Sequence, residues 1–162
     1  MVEKLQAARA VLLLSLLLFV VAFATHEVMH LAVLYAVGGQ GAIVVRPWRL
    51  ALVDLSVYAV HVQPEQPVGT VRQALVNFLG PSLAAVPLAV LLAYVREPVV
   101  RTALGANVLI LAFFAIIETI DYLVETLFDA DFPILTTPEF NYGVPALIIL
   151  AAVYLAAARS HH

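Results

Sequence analysis

Four stretches of this chain are each apolar for long enough to cross a lipid bilayer, which restricts the fold to structures that satisfy their backbone polar groups without water. A membrane helix needs ~20 mostly apolar residues. The four stretches run from about Ala10 to Val37, Arg72 to Val95, Arg101 to Phe128 and Tyr142 to Ala158. Gly38-Gly39 ends the first as a helix C-cap should, and Arg96-Glu97-Pro98 stops the second. The 162 residues are 64% hydrophobic and 12% charged. A soluble domain is nearer half apolar and about a quarter charged. The expectation is an all-α, multi-pass integral membrane protein embedded in the lipid bilayer, folded as a single domain over residues 1–162.

Several functions are excluded at this level. A net charge of −3 implies no nucleic-acid partner. The absence of cysteine excludes disulfides, thiolate zinc sites and iron–sulfur clusters, so any metal must be held by His, Asp, Glu or water. Met1 to Ala24 has the outline of a signal peptide, with Lys4 and Arg9 before an apolar core and Ala22-Phe23-Ala24 after it. The apolar run continues past that point, so a retained membrane helix is expected. Arg159-Ser160-His161-His162 resembles a cloning scar leading into a histidine tag, and the last two histidines are left out of the chemistry.

Between the first two spans the pattern changes. Ile43 to Val45 and Leu50 to Val62 are rich in Val, Leu and Tyr, and Val53-Asp54-Leu55-Ser56-Val57 alternates apolar with polar. Arg46-Pro47-Trp48-Arg49 reads as a turn carrying an interfacial tryptophan. The segment is predicted to be a small β-hairpin or sheet at the membrane surface.

Ionisable residues at bilayer depth are costly and mark functional sites by default. From Ala10 to Val37 the only readily ionised side chains are in His26-Glu27-Val28-Met29-His30, an H-E-x-x-H sequence. The third span carries Glu118, Asp121 and Glu125, whose offsets of three and four put them on one helical stripe. Depth links the two groups. At 1.5 Å per residue, His26 and His30 lie ~24 and ~30 Å above Ala10, and Glu118 and Asp121 lie ~26 and ~30 Å above Arg101. The antiparallel second span brings Asn77-Phe78-Leu79-Gly80-Pro81 to the same end of the bundle.

In a helix, His26 and His30 face the same way and can share one metal ion, with Glu27 beside them as general base. A catalytic zinc takes three protein ligands and leaves a fourth position for water. One Zn2+ per chain is therefore expected, held by His26, His30 and a carboxylate from elsewhere. Asp121 is the first choice, Glu118 the second and Glu125 the third. Zinc lowers the pKa of its water towards 7, and Glu27 would pass the water's proton to the leaving amine of a peptide bond. Asn77 has two readings: a contact to the substrate backbone or oxyanion, or a helix–helix hydrogen bond, the commoner use of Asn in membranes. Gly80 and Pro81 suit a kink and close packing. Asn107, nearer the opposite face, reads as structural. Two other classes remain open: an inactive relative acting as a membrane scaffold or complex subunit, and a metal- or haem-binding redox or transport subunit.

The pattern resembles the site-2 protease family of intramembrane zinc metalloproteases. The likeness rests on H-E-x-x-H within a membrane helix, the β-rich segment directly after it, and Leu79-Gly80-Pro81-Ser82-Leu83, similar to the family's Gly-Pro segment. In that family a later helix supplies an aspartate as third ligand, and the nearest match here is Ile120-Asp121-Tyr122. The resemblance implies cleavage of a membrane-spanning or membrane-adjacent protein segment, such as a single-span helix, with a β edge available to pair with the unwound substrate. Glu125-Thr126-Leu127-Phe128-Asp129 instead has the Glu-x-x-x-Asp spacing of another zinc peptidase group. Orientation stays open. Lys4, Arg9, Arg96, Arg101 and Arg159 against Arg46, Arg49 and Arg72 place the N-terminus inside, whereas the resemblance implies the reverse.

Overall fold

Val2–Ala36 forms one continuous helix, α1, because the polar start Glu3-Lys4-Leu5-Gln6-Ala7-Ala8-Arg9 is made of strong helix formers and extends the apolar span by two turns. A computed structural model of the chain describes residues 2–50, 55–130, 132, 134, 135 and 137–159. Gly38, at φ +83°, takes the left-handed conformation that closes α1, and the N–H of Gly39 donates to the Leu34 carbonyl at 2.9 Å. The chain then forms β1 (Gly41–Leu50) and β2 (Leu55–Pro64), followed by α2 (Thr70–Tyr94), α3 (Pro98–Phe128) and α4 (Pro138–Arg159). All four helices are long and apolar enough to cross a membrane.

The α2–α3 connection is short, and both α3 and α4 begin at a proline with a side-chain cap. Pro98 does not merely stop α2; it opens α3 at the position where a missing N–H costs nothing. The Glu97 carboxylate accepts from the N–H groups of Val99 and Val100 at 3.1 and 2.6 Å. Pro138 plays the same part for α4, which starts four residues earlier than its apolar stretch, with the Thr137 hydroxyl accepting from the Phe140 N–H at 3.3 Å.

The hairpin lies where the sequence places it, but its turn does not. Arg46-Pro47-Trp48-Arg49, expected to be the turn, continues β1, with Pro47 opposite Tyr58 and Arg49 opposite Ser56. A two-stranded ribbon has only edge strands, so a proline without an N–H can be accommodated with its bare side outward. Val53 and Asp54 of the alternating run lie outside the described residues. The ribbon is tied to the bundle by the Tyr35 hydroxyl, which donates to the Gly41 carbonyl at 3.0 Å. A side chain on Gly41 would meet the Gln63 carbonyl at 2.6 Å, so only glycine lets the strand start so close to its partner.

α1 packs against each of the other three helices. Small side chains bring the backbones together: Ala22, Ala84 and Leu111 join α1, α2 and α3, while Val11, Ala106 and Ala152 join α1, α3 and α4. Ile110, Phe114 and Ile149 fill the α3–α4 seam beneath Phe23. Large apolar side chains such as Leu13, Leu17 and Val20 are more than 60% exposed on the outer surface. Such a surface suits lipid rather than water.

Candidate metal centre

Within the last three turns of α1, His26 and His30 turn inward and are buried, with Glu27 beside them. The i, i+4 offset stacks the imidazoles on one face, and their Nε2 atoms lie 2.6 Å apart. α3 brings Glu118 against this pair: its carboxylate oxygens are 3.4 Å from His26 Nε2 and 3.0 Å from His30 Nε2. The ligand atoms of these three residues all fall within 4.8 Å of one another, a set able to hold one metal ion. Two neutral imidazoles cannot aim lone pairs at each other across so short a gap unless a proton or a cation lies between them. For a tetrahedral ion with bonds of 2.0–2.1 Å the donor atoms stand about 3.3 Å apart. Each histidine is near that distance from one of the two Glu118 oxygens, and the histidines need to part by about 0.7 Å to reach that geometry.

The surroundings hold the rings in place. His26 stacks on Phe114, with ring centroids 5.4 Å apart and planes 21° apart, and meets the edge of Phe23. Its Nδ1 has no hydrogen-bond partner among the described residues, and the nearest acid is Glu27, 3.9 Å away. The Val76 backbone lies in hydrogen-bonding reach of the His30 ring. Gly80 of α2 lies flat against that ring: a Cβ there would meet His30 Nδ1 at 2.5 Å and Cγ at 2.6 Å. The glycine is therefore required by the histidine it faces.

Asp121, first choice among the carboxylates on sequence grounds, lines the same cavity one turn further along α3 and is not in the three-residue cluster; Glu118, the second choice, is. Depth alone could not separate them. They differ by ~4.5 Å in height but also by a rotation about the helix axis, which depends on how α3 packs. Glu125 lines the same cavity. Asn77 ties the helices together beside the ligand set: its amide donates to the Glu118 backbone carbonyl at 3.2 Å and its oxygen accepts from Gln73 at 2.8 Å. Asn107 bonds the Ser15 and Ala103 carbonyls at 3.2 and 3.0 Å, well away from the cluster.

Two cavities meet at the cluster. One, of about 490 Å³, is lined by Glu27, His30, Glu118 and Asp121 with the polar Gln73 and Asn77. The other, of about 390 Å³, is lined by Phe23, Arg46, Phe114 and Tyr142. Glu27, His61, Glu118 and Asn141 line both. β2 forms the shared wall, and the Val62 N–H lies in hydrogen-bonding reach of the Glu27 carboxylate. In an antiparallel pair, alternate residues point their backbone groups away from the partner strand. An outward N–H at Val62 therefore turns the free edge of β2 towards the site.

Sequence reasoning passed over His61, Asn141 and Tyr142. His61 had a visible signal, being the one histidine left after the H-E-x-x-H pair and the terminal pair. Burial, and next the Arg46 charge, push its pKa below the usual histidine value. The Asn141 amide is used in structure, donating to the Leu135 and Thr137 carbonyls at 2.7 and 3.1 Å. Pro81 and Pro145 each follow a cavity-lining asparagine by four residues, so neither the Asn77 nor the Asn141 carbonyl receives its usual helical N–H. Compared with known proteins, the chain matches no family model, and neither a curated protein nor a solved structure is significantly similar to it.

Proposed function

We propose that this chain is an intramembrane zinc metallopeptidase that hydrolyses peptide bonds of membrane-spanning or membrane-adjacent protein segments. The observation that carries the reading is the meeting of His26, His30 and Glu118 with Glu27 at the junction of two cavities. The donor set is two imidazoles and one carboxylate, with no thiolate, and one side of it opens on a cavity large enough for water and a peptide unit. That is the composition of a catalytic rather than a structural zinc site. A zinc ion bound there supplies Lewis acidity, lowering the pKa of water towards 7 and polarising a carbonyl.

The chain's own groups do the rest. His26, His30 and Glu118 would hold the ion. Glu27 takes a proton from the attacking water as the C–O bond forms, then delivers it to the amide nitrogen as the C–N bond breaks. Phe23 and Phe114 keep bulk water off the inner side of the rings. A helical substrate hides its peptide bonds, so it must unwind locally before reaction. The outward edge of β2 is in position to pair with such an extended segment, and alternate side chains would then fall to either side of the site.

The test compares wild type with Glu27→Gln on a panel of single-span substrates in detergent and in vesicles, with metal analysis of both proteins. One zinc per chain in each, with cleavage lost in Glu27→Gln, is the expected result. Equal cleavage by both proteins removes the peptidase reading. Stoichiometric metal with no Glu27-dependent cleavage of any substrate points instead to a non-hydrolytic metal-binding subunit.

A further inference from the structure

A third cavity, of about 660 Å³, lies at the other end of the bundle in the groove between α3 and α4. Along α3 its wall runs from Arg101 through Gly105 to Leu109, and along α4 it includes Ala151 and Leu155. Small side chains make the groove: a Cβ added at Gly105 would meet nothing within 4 Å. The walled length on α3 is ~12 Å, and it is apolar throughout except at one end.

That end carries two guanidiniums. Arg96 and Arg101 both line the cavity and are exposed. Neither makes an ion pair among the described residues. The acid between them in sequence, Glu97, caps α3 through both carboxylate oxygens. Lys4 and Arg9 of α1 belong to the same end of the bundle, together with Glu3. An apolar slot closed by a pair of unpaired arginines, at the level where a membrane helix ends, matches an amphiphile with a phosphodiester head. Arginine binds phosphate oxygens through its planar fork. Basic pockets between membrane helices take anionic lipid head groups in this way.

We propose that the α3–α4 groove binds an anionic glycerophospholipid, with its phosphate on Arg96 and Arg101 and one acyl chain laid along Gly105 towards Leu109. Arg101 is ~26 Å along α3 from Glu118, so this site is separate from the metal centre and its test does not depend on peptide hydrolysis. A zwitterionic lipid offers the same phosphate but sets its own ammonium beside the two arginines, so selectivity for the anionic head is the diagnostic property.

The experiment offers the full-length protein in detergent an equimolar mixture of phosphatidylglycerol and phosphatidylcholine with identical acyl chains. Retained lipid is counted by native mass spectrometry. Wild type is expected to retain phosphatidylglycerol about 10-fold over phosphatidylcholine, the order of discrimination that ~1.4 kcal/mol gives. The double substitution Arg96→Gln/Arg101→Gln should bring the ratio near one. Gly105→Phe, which puts a ring into the open slot, should lower retention of both lipids several-fold while helicity by circular dichroism stays at the wild-type level. Equal retention of the two lipids by wild type overturns the proposal. So does selectivity that survives the double arginine substitution, and so does displacement of retained lipid by excess glycerol phosphate, which lacks the acyl chain.

Discussion

Replacing Gly80 by alanine tests the metal centre without touching a ligand. The added methyl carbon would sit 2.5 Å from His30 Nδ1, 2.6 Å from Cγ and 2.8 Å from Cε1. Ordinary contact begins near 3.4 Å. Ring and helix must therefore separate by about 0.9 Å, whereas metal–ligand bonds tolerate roughly ±0.2 Å. The ring cannot retreat freely, because His26 lies 2.6 Å away across the Nε2 pair and is itself stacked on Phe114. We expect Gly80→Ala to weaken zinc binding by about 100-fold, the upper end of what disturbing a group packed against a ligand costs. The fold should survive, since alanine in a helix interior is favoured over glycine by about 1 kcal/mol, which offsets part of the clash. The assay is competitive titration against a chromogenic chelator, with helicity measured in parallel. Gly105→Ala is the control: it makes the same substitution in α3, in open space, and should leave zinc affinity unchanged. Wild-type zinc affinity in Gly80→Ala would refute the assignment of His30 as a ligand in this geometry.

Glu118→Gln should reduce zinc affinity by about 100-fold or more, while Asp121→Asn stays within about 10-fold of wild type, the scale for a group that lies near the ligands without binding the ion; chelator titration of the pair decides which carboxylate binds. Zinc at 1,000 times its dissociation constant should stabilise the wild-type fold by about 4 kcal/mol, seen as a rise in melting temperature that Glu118→Gln loses. His61 titrates below the ordinary histidine value through burial and then Arg46, so below pH ~6.5 the unfolded chain binds the proton first and stability falls as pH drops further. His61→Gln should flatten that acid limb, and Arg46→Gln should move the His61 proton resonance midpoint upward; an unmoved midpoint refutes the cause. Asn107→Ala should cost about 1 kcal/mol of stability, typical of a hydrogen bond between membrane helices, with substrate cleavage per folded molecule unchanged because the residue is ~16 Å along α3 from Glu118.

What could be read from the sequence was whatever depends on distance along a helix. Apolar length gave four helices, and the rise per residue carried His26, His30, Glu118, Asp121 and Asn77 to one level before any packing was known. What could not be read was whatever depends on rotation or on closeness between elements. Glu118 and Asp121 are on the same stripe, and only the angle at which α3 docks on α1 selects between them. Gly80 looked like a packing glycine, and it is one, but the object it packs against is the imidazole of His30. The hairpin erred for a related reason. Arg46-Pro47-Trp48-Arg49 has the composition of a turn, yet in a two-stranded ribbon proline needs only an outward side, and pairing runs on to Leu50 opposite Leu55. His61 was overlooked because a lone strand histidine carries no spacing signal; it gains meaning only when β2 folds back over Glu27 and becomes the wall between the two cavities. The hairpin, rather than a fifth helix, is what makes such a wall possible. A helix lying there would have spent its backbone hydrogen bonds internally, whereas a strand leaves one edge of N–H and C=O groups open beside Glu27.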